Sequence, residues 1–205
     1  MKLKHSDLKI MTTTTKKTTK TVKAKATPIP NLPKIPFAFE VFDAASKQRT
    51  KAKKIEVLQR YAHDSIMALL IWNFDETAIS VLPPGEVPYG NNKEDNMVTG
   101  TLSDKINDAV GKMSEMGSNS LGSQDQGQAS IRKEYTKFYN FLKGGNDKLS
   151  SLRRETMFIN ILEGLHPLEA EILILVKDKK LTDKYKITKE IAGTAYPQIT
   201  WGGRS

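Results

Sequence analysis

Two stretches of the chain repeat their apolar residues every three or four positions, and this helical spacing constrains the fold more than any other feature. Phe37, Val41, Phe42 and Ala45 open the first stretch on one helix face. Thr50 supplies the hydroxyl that caps a second helix. In it Ala52, Ile55, Leu58 and Gln59 share a face, while Lys51, Lys53, Lys54 and Arg60 point away. Asp64 or Ser65 starts a third helix, which carries Ile66, Met67, Leu69, Leu70 and Trp72. The pattern breaks over 73–77, and Ile79, Val81 and Leu82 then run extended into Pro83-Pro84-Gly85.

The second stretch reads the same way. A helix from Ser130 to Leu142 places Ile131, Tyr135, Phe138 and Tyr139/Leu142 on one face, and Gly144-Gly145 stops it. Ser151 caps a helix through Leu162 that ends at Gly164. Pro167 sits at the first position of the next helix, where its missing N–H costs nothing. That helix carries Leu168, Ile172, Leu173, Leu175 and Val176. Thr188 caps a last helix, which must end before Pro197. The expected fold is all-α, an irregular bundle of about seven or eight helices with no sheet.

Composition divides the chain. The 38% hydrophobic and 7% aromatic content is low for a wholly folded protein, so unstructured stretches must dilute an ordinary domain. Residues 1–34 are expected to form a disordered basic tail. Residues 35–89 and 131–205 are the two helical blocks of one domain. Between them, 90–130 reads as a flexible, acidic, Gly/Ser-rich insertion. Within it, Leu102, Ile106, Ala109/Val110 and Met113 suit one short amphipathic helix. Absence of cysteine excludes disulfides, thiolate zinc sites and cysteine nucleophiles, and fits a reducing compartment. Apolar runs such as Ile172–Val176 are far short of the roughly 20 residues a membrane span needs. A soluble, intracellular protein with no membrane partner is expected.

The formal charge of +9 is unevenly placed. Residues 1–34 hold nine lysines against Asp7 alone, which leaves the remainder nearly neutral. That near-neutrality hides segregation. Basic clusters at 46–60, 132–155 and 177–190 alternate with acidic segments at 73–131 and 156–176. Any one cluster is as readily a solvated helix face as a binding surface. Converging on one face, they would neutralise phosphates, and the basic tail would track a polyanion without reading sequence. The residues expected to do so are Lys51, Lys53, Lys54, Arg153, Arg154, Lys177, Lys179, Lys180 and Lys184.

Signals of catalysis are lacking. His5, His63 and His166 have no ligand-like spacing, and the last two suit structural roles beside helix starts. Glu169 and Glu171, two residues apart, cannot face each other on a helix. Lys143-Gly144-Gly145 is a helix stop and not a phosphate loop. No enzyme, cofactor or metal is expected.

Two segments carry a resemblance. FDAASKQRTKAKKIEVLQRYAHDSIMALLIWNF (42–74) resembles the opening helices of the DNA-binding domain of phage-type ATP-dependent DNA ligases. ILILVKDKKLTDKYKITKEIAGTAYPQI (172–199) is similar to the end of that domain, with Lys177-Asp178 and Tyr196-Pro197-Gln198-Ile199 in the matching places. The whole chain, including SLRRETMFINILEGLHP (151–167), also resembles small uncharacterised proteins of large contractile-tailed phages. The KxDG adenylation motif is missing, and a lysine-rich turn replaces the ligase glycine after Arg-Asp. The resemblance implies a freestanding relative of a domain that grips duplex DNA through its backbone. The expected function is a non-catalytic phage accessory DNA-binding protein in the host cytoplasm or the virion. The alternative is a virion or interaction component that docks on a phage or host replication or transcription protein through its tail or insertion.

Overall fold

A computed structural model describes residues 29–85, Val87 and 129–203. The expected helix over 102–113 lies outside these residues, as do residues 1–28 of the expected tail and nearly all of the expected insertion. Helices α1 (Ala38–Ser46), α2 (Lys51–Arg60) and α3 (Asp64–Phe74) form the first block. The second holds α4 (Ile131–Glu134), a 3-10 helix (Tyr135–Phe141), α5 (Ser151–Gly164), α6 (Pro167–Lys177), α7 (Leu181–Tyr185) and α8 (Lys189–Ala195). Among the described residues there is no strand beyond one isolated bridge, between Ser80 and Leu142. The fold is all-α.

Most helix starts are satisfied by the residue just outside them. Thr50 Oγ1 accepts from Lys53 N, Ser150 Oγ from Arg153 N and Thr188 Oγ1 from Ile191 N. Ser150, one residue earlier than expected, is therefore the cap of α5. Both described histidines are caps too. His63 Nδ1 accepts from Ser65 N at 3.1 Å, and His166 Nδ1 from Leu168 N at 3.2 Å. An accepting Nδ1 places the neutral ring's proton on Nε2.

One hydrophobic core runs through both blocks, from Phe42, Leu58 and Leu69 to Ile172, Val176 and Ile187. At one end Trp72 meets Phe138, Phe141 and Phe158, with ring centroids 5.5, 6.0 and 6.5 Å away. At the other, the buried Tyr196 hydroxyl donates to Leu58 O at 2.6 Å.

Two helix faces differ from expectation. On α2 the buried pair is Val57 and Leu58, while Ala52 and Gln59 are exposed. Packing of α2 between α1 and α8 selects that pair, because a helix covered from two sides buries the arc between its neighbours. Over 131–141 the chain makes one α-turn and then tightens to 3-10 winding. A 3-10 helix eclipses residues three apart, so Phe138 and Phe141 face Trp72 together and Tyr139 is left 54% exposed. Gly145 then passes against the end of this helix, where a Cβ would stand 1.8 Å from Tyr139 O. The extended piece at 79–81 pairs with the chain that follows. Val81 N donates to Phe141 O and Lys143 N to Ile79 O, each at 2.9 Å.

Candidate nucleic-acid interface

Helix α2 and the chain entering α8 lie side by side, and this brings the first and third basic clusters together. Lys54 Nζ donates to Lys186 O at 2.8 Å. Lys51 Nζ reaches Glu190 Oε2 at 2.6 Å, with both side chains about two-thirds exposed. Lys53 pairs within its own helix, 2.7 Å from Glu56 Oε2. Lys189 lies 4.0 Å from Glu76 Oε1, its ammonium 5.6 Å from the centre of the Trp201 ring.

Lys54 and Lys186 differ from these paired lysines. The ammonium of Lys54 is held by a carbonyl and not by a carboxylate, so its charge is not neutralised. Its pKa is lowered from the ordinary lysine value, first by burial and then by the positive charge of Lys186. Lys186 is exposed and forms no ion pair among the described residues. Its backbone is left-handed, with φ of 50°. A non-glycine side chain there costs on the order of 1 kcal/mol relative to glycine.

The remaining basic residues expected at the interface separate into bound and free groups. Lys177 is a correction: it is 4% exposed and turned inward. Its ammonium donates to Pro83 O at 2.8 Å and Gly85 O at 3.0 Å, and lies 2.5 Å from Asp178 Oδ1. Arg154 is similarly committed, with Nε donating to Asn140 O and Nη2 to Asn146 O, both at 2.8 Å. Lys179 Nζ donates to Asp75 O at 2.7 Å. Lys184 forms an ion pair with Glu171 of α6. Lys180 and Arg153 are exposed, and neither side chain forms an ion pair among the described residues. Arg153 stands on α5, which packs against α6 and the 3-10 helix, whereas α2 packs against α1 and α8. Helix α5 is thus held by different neighbours from α2.

Inward-facing basic groups cap irregular backbone, which no count of charge can foretell. A buried carbonyl without a donor costs about 1–3 kcal/mol, so a nearby lysine or arginine is drawn to it. For Lys177 a signal existed. Glu169, Leu173 and Lys177 recur every four residues on α6, and all three are buried. Glu169, which the sequence offers only as half of an unworkable catalytic pair, occupies the other end of that stripe. It is 1% exposed and accepts from Ala38 N at 3.1 Å and Ile131 N at 2.8 Å. Burial raises its carboxyl pKa, against the lowering effect of those two backbone donors and of Arg132.

Among the described residues no His, Asp or Glu side chains gather into a group able to hold a metal ion. No described helix is long and apolar enough to cross a membrane. Fold and surface together define a small helical protein with one face on which two distant basic segments meet. The chain belongs to DUF6433, a family of unknown function, whose pattern matches residues 41–113 and 116–183. The matched residues include most of 90–130, so that stretch is part of the family's own pattern. No curated protein and no solved structure matches the chain.

Proposed function

We propose that the chain is a non-catalytic DNA-binding protein that holds the duplex backbone where α2 meets the 186–189 turn, with little reading of sequence. The observation that carries this reading is the neighbouring pair Lys54 and Lys186. They lie 132 residues apart in sequence, and no carboxylate pairs with either among the described residues. Two adjacent cations repel each other in the free protein, and a phosphate relieves that repulsion. Lys51, Lys53 and Lys189 flank the pair in exposed ion pairs, which are weak and readily exchanged for phosphate contacts.

The likeness of 42–74 and 172–199 to the ends of a ligase DNA-binding domain supports the choice of DNA as ligand. So does the net positive charge of residues 1–34, which adds affinity without specificity. The likeness to small phage proteins supports an accessory role in the infected host's cytoplasm or in the virion.

Lys186→Gly tests the reading, since it removes the charge while easing the backbone. Binding of a labelled duplex is measured by fluorescence anisotropy across a salt series. The variant should fold at least as stably as the wild type, bind more weakly, and lose about 0.9 from the log–log salt slope. Unchanged affinity and slope, or no wild-type duplex binding at about 50 mM salt, would overturn the proposal.

A further inference from the structure

An open groove of about 560 Å³ runs beside α5, remote in sequence from the Lys54–Lys186 pair. Its surface is largely apolar, contributed by Ala129, Leu152, Met157 and Ile161. Leu152 is 75% exposed, and Arg153 beside it makes no ion pair among the described residues. The other basic group on the groove, Lys137, is already 2.6 Å from Glu134 Oε2. The groove therefore joins an apolar floor to one uncompensated guanidinium.

Three occupants can be weighed by chemistry. Nucleic acid fits poorly, because a phosphate against Leu152, Met157 and Ile161 would lose its water and gain a single cation. A second copy fits poorly as well. Two-fold pairing sets the patch against itself, and its one carboxylate, Glu134, is already held by Lys137, so Arg153 would find no free partner on the other molecule's groove. An amphipathic segment bearing a carboxylate satisfies both halves at once, its apolar face on the floor and its charge on an arginine, a side chain enriched among those that dominate binding energy. We propose that this groove binds an amphipathic helical segment of a partner protein, with an apolar side chain on the floor and a carboxylate on Arg153. This surface is built from different residues than the proposed DNA face.

The test uses the full chain and two labelled helical peptides of about four turns, each with leucines at i, i+3, i+4 and i+7. One carries glutamates beside the leucines, and the other carries lysines there. The glutamate peptide should bind the wild type, and Leu152→Asp and Arg153→Glu should each weaken it about tenfold or more. Arg153→Glu should also reverse the preference in favour of the lysine peptide. Both side chains are exposed, so thermal unfolding of the variants should match the wild type. Failure of the glutamate peptide to bind, equal binding of the two peptides, or full affinity in Leu152→Asp would overturn the proposal. Sedimentation showing a wild-type dimer that Leu152→Asp dissociates would also overturn it, by assigning the groove to a second copy. Duplex affinity in Leu152→Asp should equal that of the wild type, and its loss would assign the groove to nucleic acid.

Discussion

Glu169 Oε2 accepts a hydrogen bond from Ile131 N at 2.8 Å, while its other oxygen takes Ala38 N. One buried carboxylate on α6 thus holds the starts of α1 and α4, which belong to different blocks of the chain. Neither helix has a side-chain cap bond from its own preceding residue. Both helix dipoles direct their positive ends at the carboxylate, which compensates part of its desolvation. Glu169→Gln keeps the size and one acceptor oxygen but sets its amide NH₂ against the other of the two backbone donors. It should destabilise the protein by about 1–3 kcal/mol in chemical denaturation. Glu171→Gln, two residues along and on an exposed ion pair, should change stability by less than about 1 kcal/mol.

Lys177 should separate structural from functional charge. Lys177→Met strands Pro83 O and Gly85 O and leaves Asp178 without its cation. A destabilisation of roughly 3 kcal/mol is expected, with duplex affinity per folded molecule unchanged. Lys51→Ala should do the reverse, changing stability by under about 0.5 kcal/mol while weakening duplex binding. Denaturation and anisotropy on the two variants check both halves.

Acid should loosen two helix starts. His63 and His166 each cap a helix through an unprotonated Nδ1, and burial lowers the pKa of both. The depressed folded pKa means that the unfolded chain binds protons first as pH falls. The stability these rings contribute is therefore complete above about pH 6.5 and declines below it. Thermal unfolding from pH 7.5 downward should show this decline, and His166→Asn, which keeps a cap acceptor without the titration, should flatten it. Glu169 has the opposite sign, because its raised pKa favours stability at lower pH, so its variant provides the control.

Removing residues 1–34 takes away nine lysines and one aspartate. Duplex binding at low salt should weaken and its salt dependence should flatten, by about 0.9 in slope for each phosphate that the tail neutralises. Competition between unrelated duplex sequences should be unaffected, since backbone contacts carry no sequence information.

Much of the fold is legible in residue order alone. Thr50, Thr188 and Pro167 mark helix starts, Gly144-Gly145 a stop, and the spacing from Ile66 to Trp72 a buried helix. These are local effects, each settled by a hydroxyl, a ring or a missing Cβ within a few residues of where it acts. The 3-10 winding at Tyr135–Phe141 is not legible in this way, and the partner its rings meet, Trp72, lies more than sixty residues earlier.

Positive charge was equally plain in the sequence, and its use was not. Lys177 and Arg154 look as available as Lys51 or Lys186 when only their neighbours in the chain are read. Apart from the buried stripe that marks Lys177 on α6, the tertiary structure alone decided that the first two turn inward to carbonyls, that Lys54 and Lys186 come together, and that Arg153 stands beside a groove. The physical reason is the range of the interactions. Caps by a neighbouring hydroxyl or ring, and helix periods, are satisfied within a turn or two of the chain, as the long-range cap by Glu169 is not. A cation is directed by whichever unsatisfied carbonyl or opposite charge the folded chain brings to it, and that partner lay up to 139 residues away.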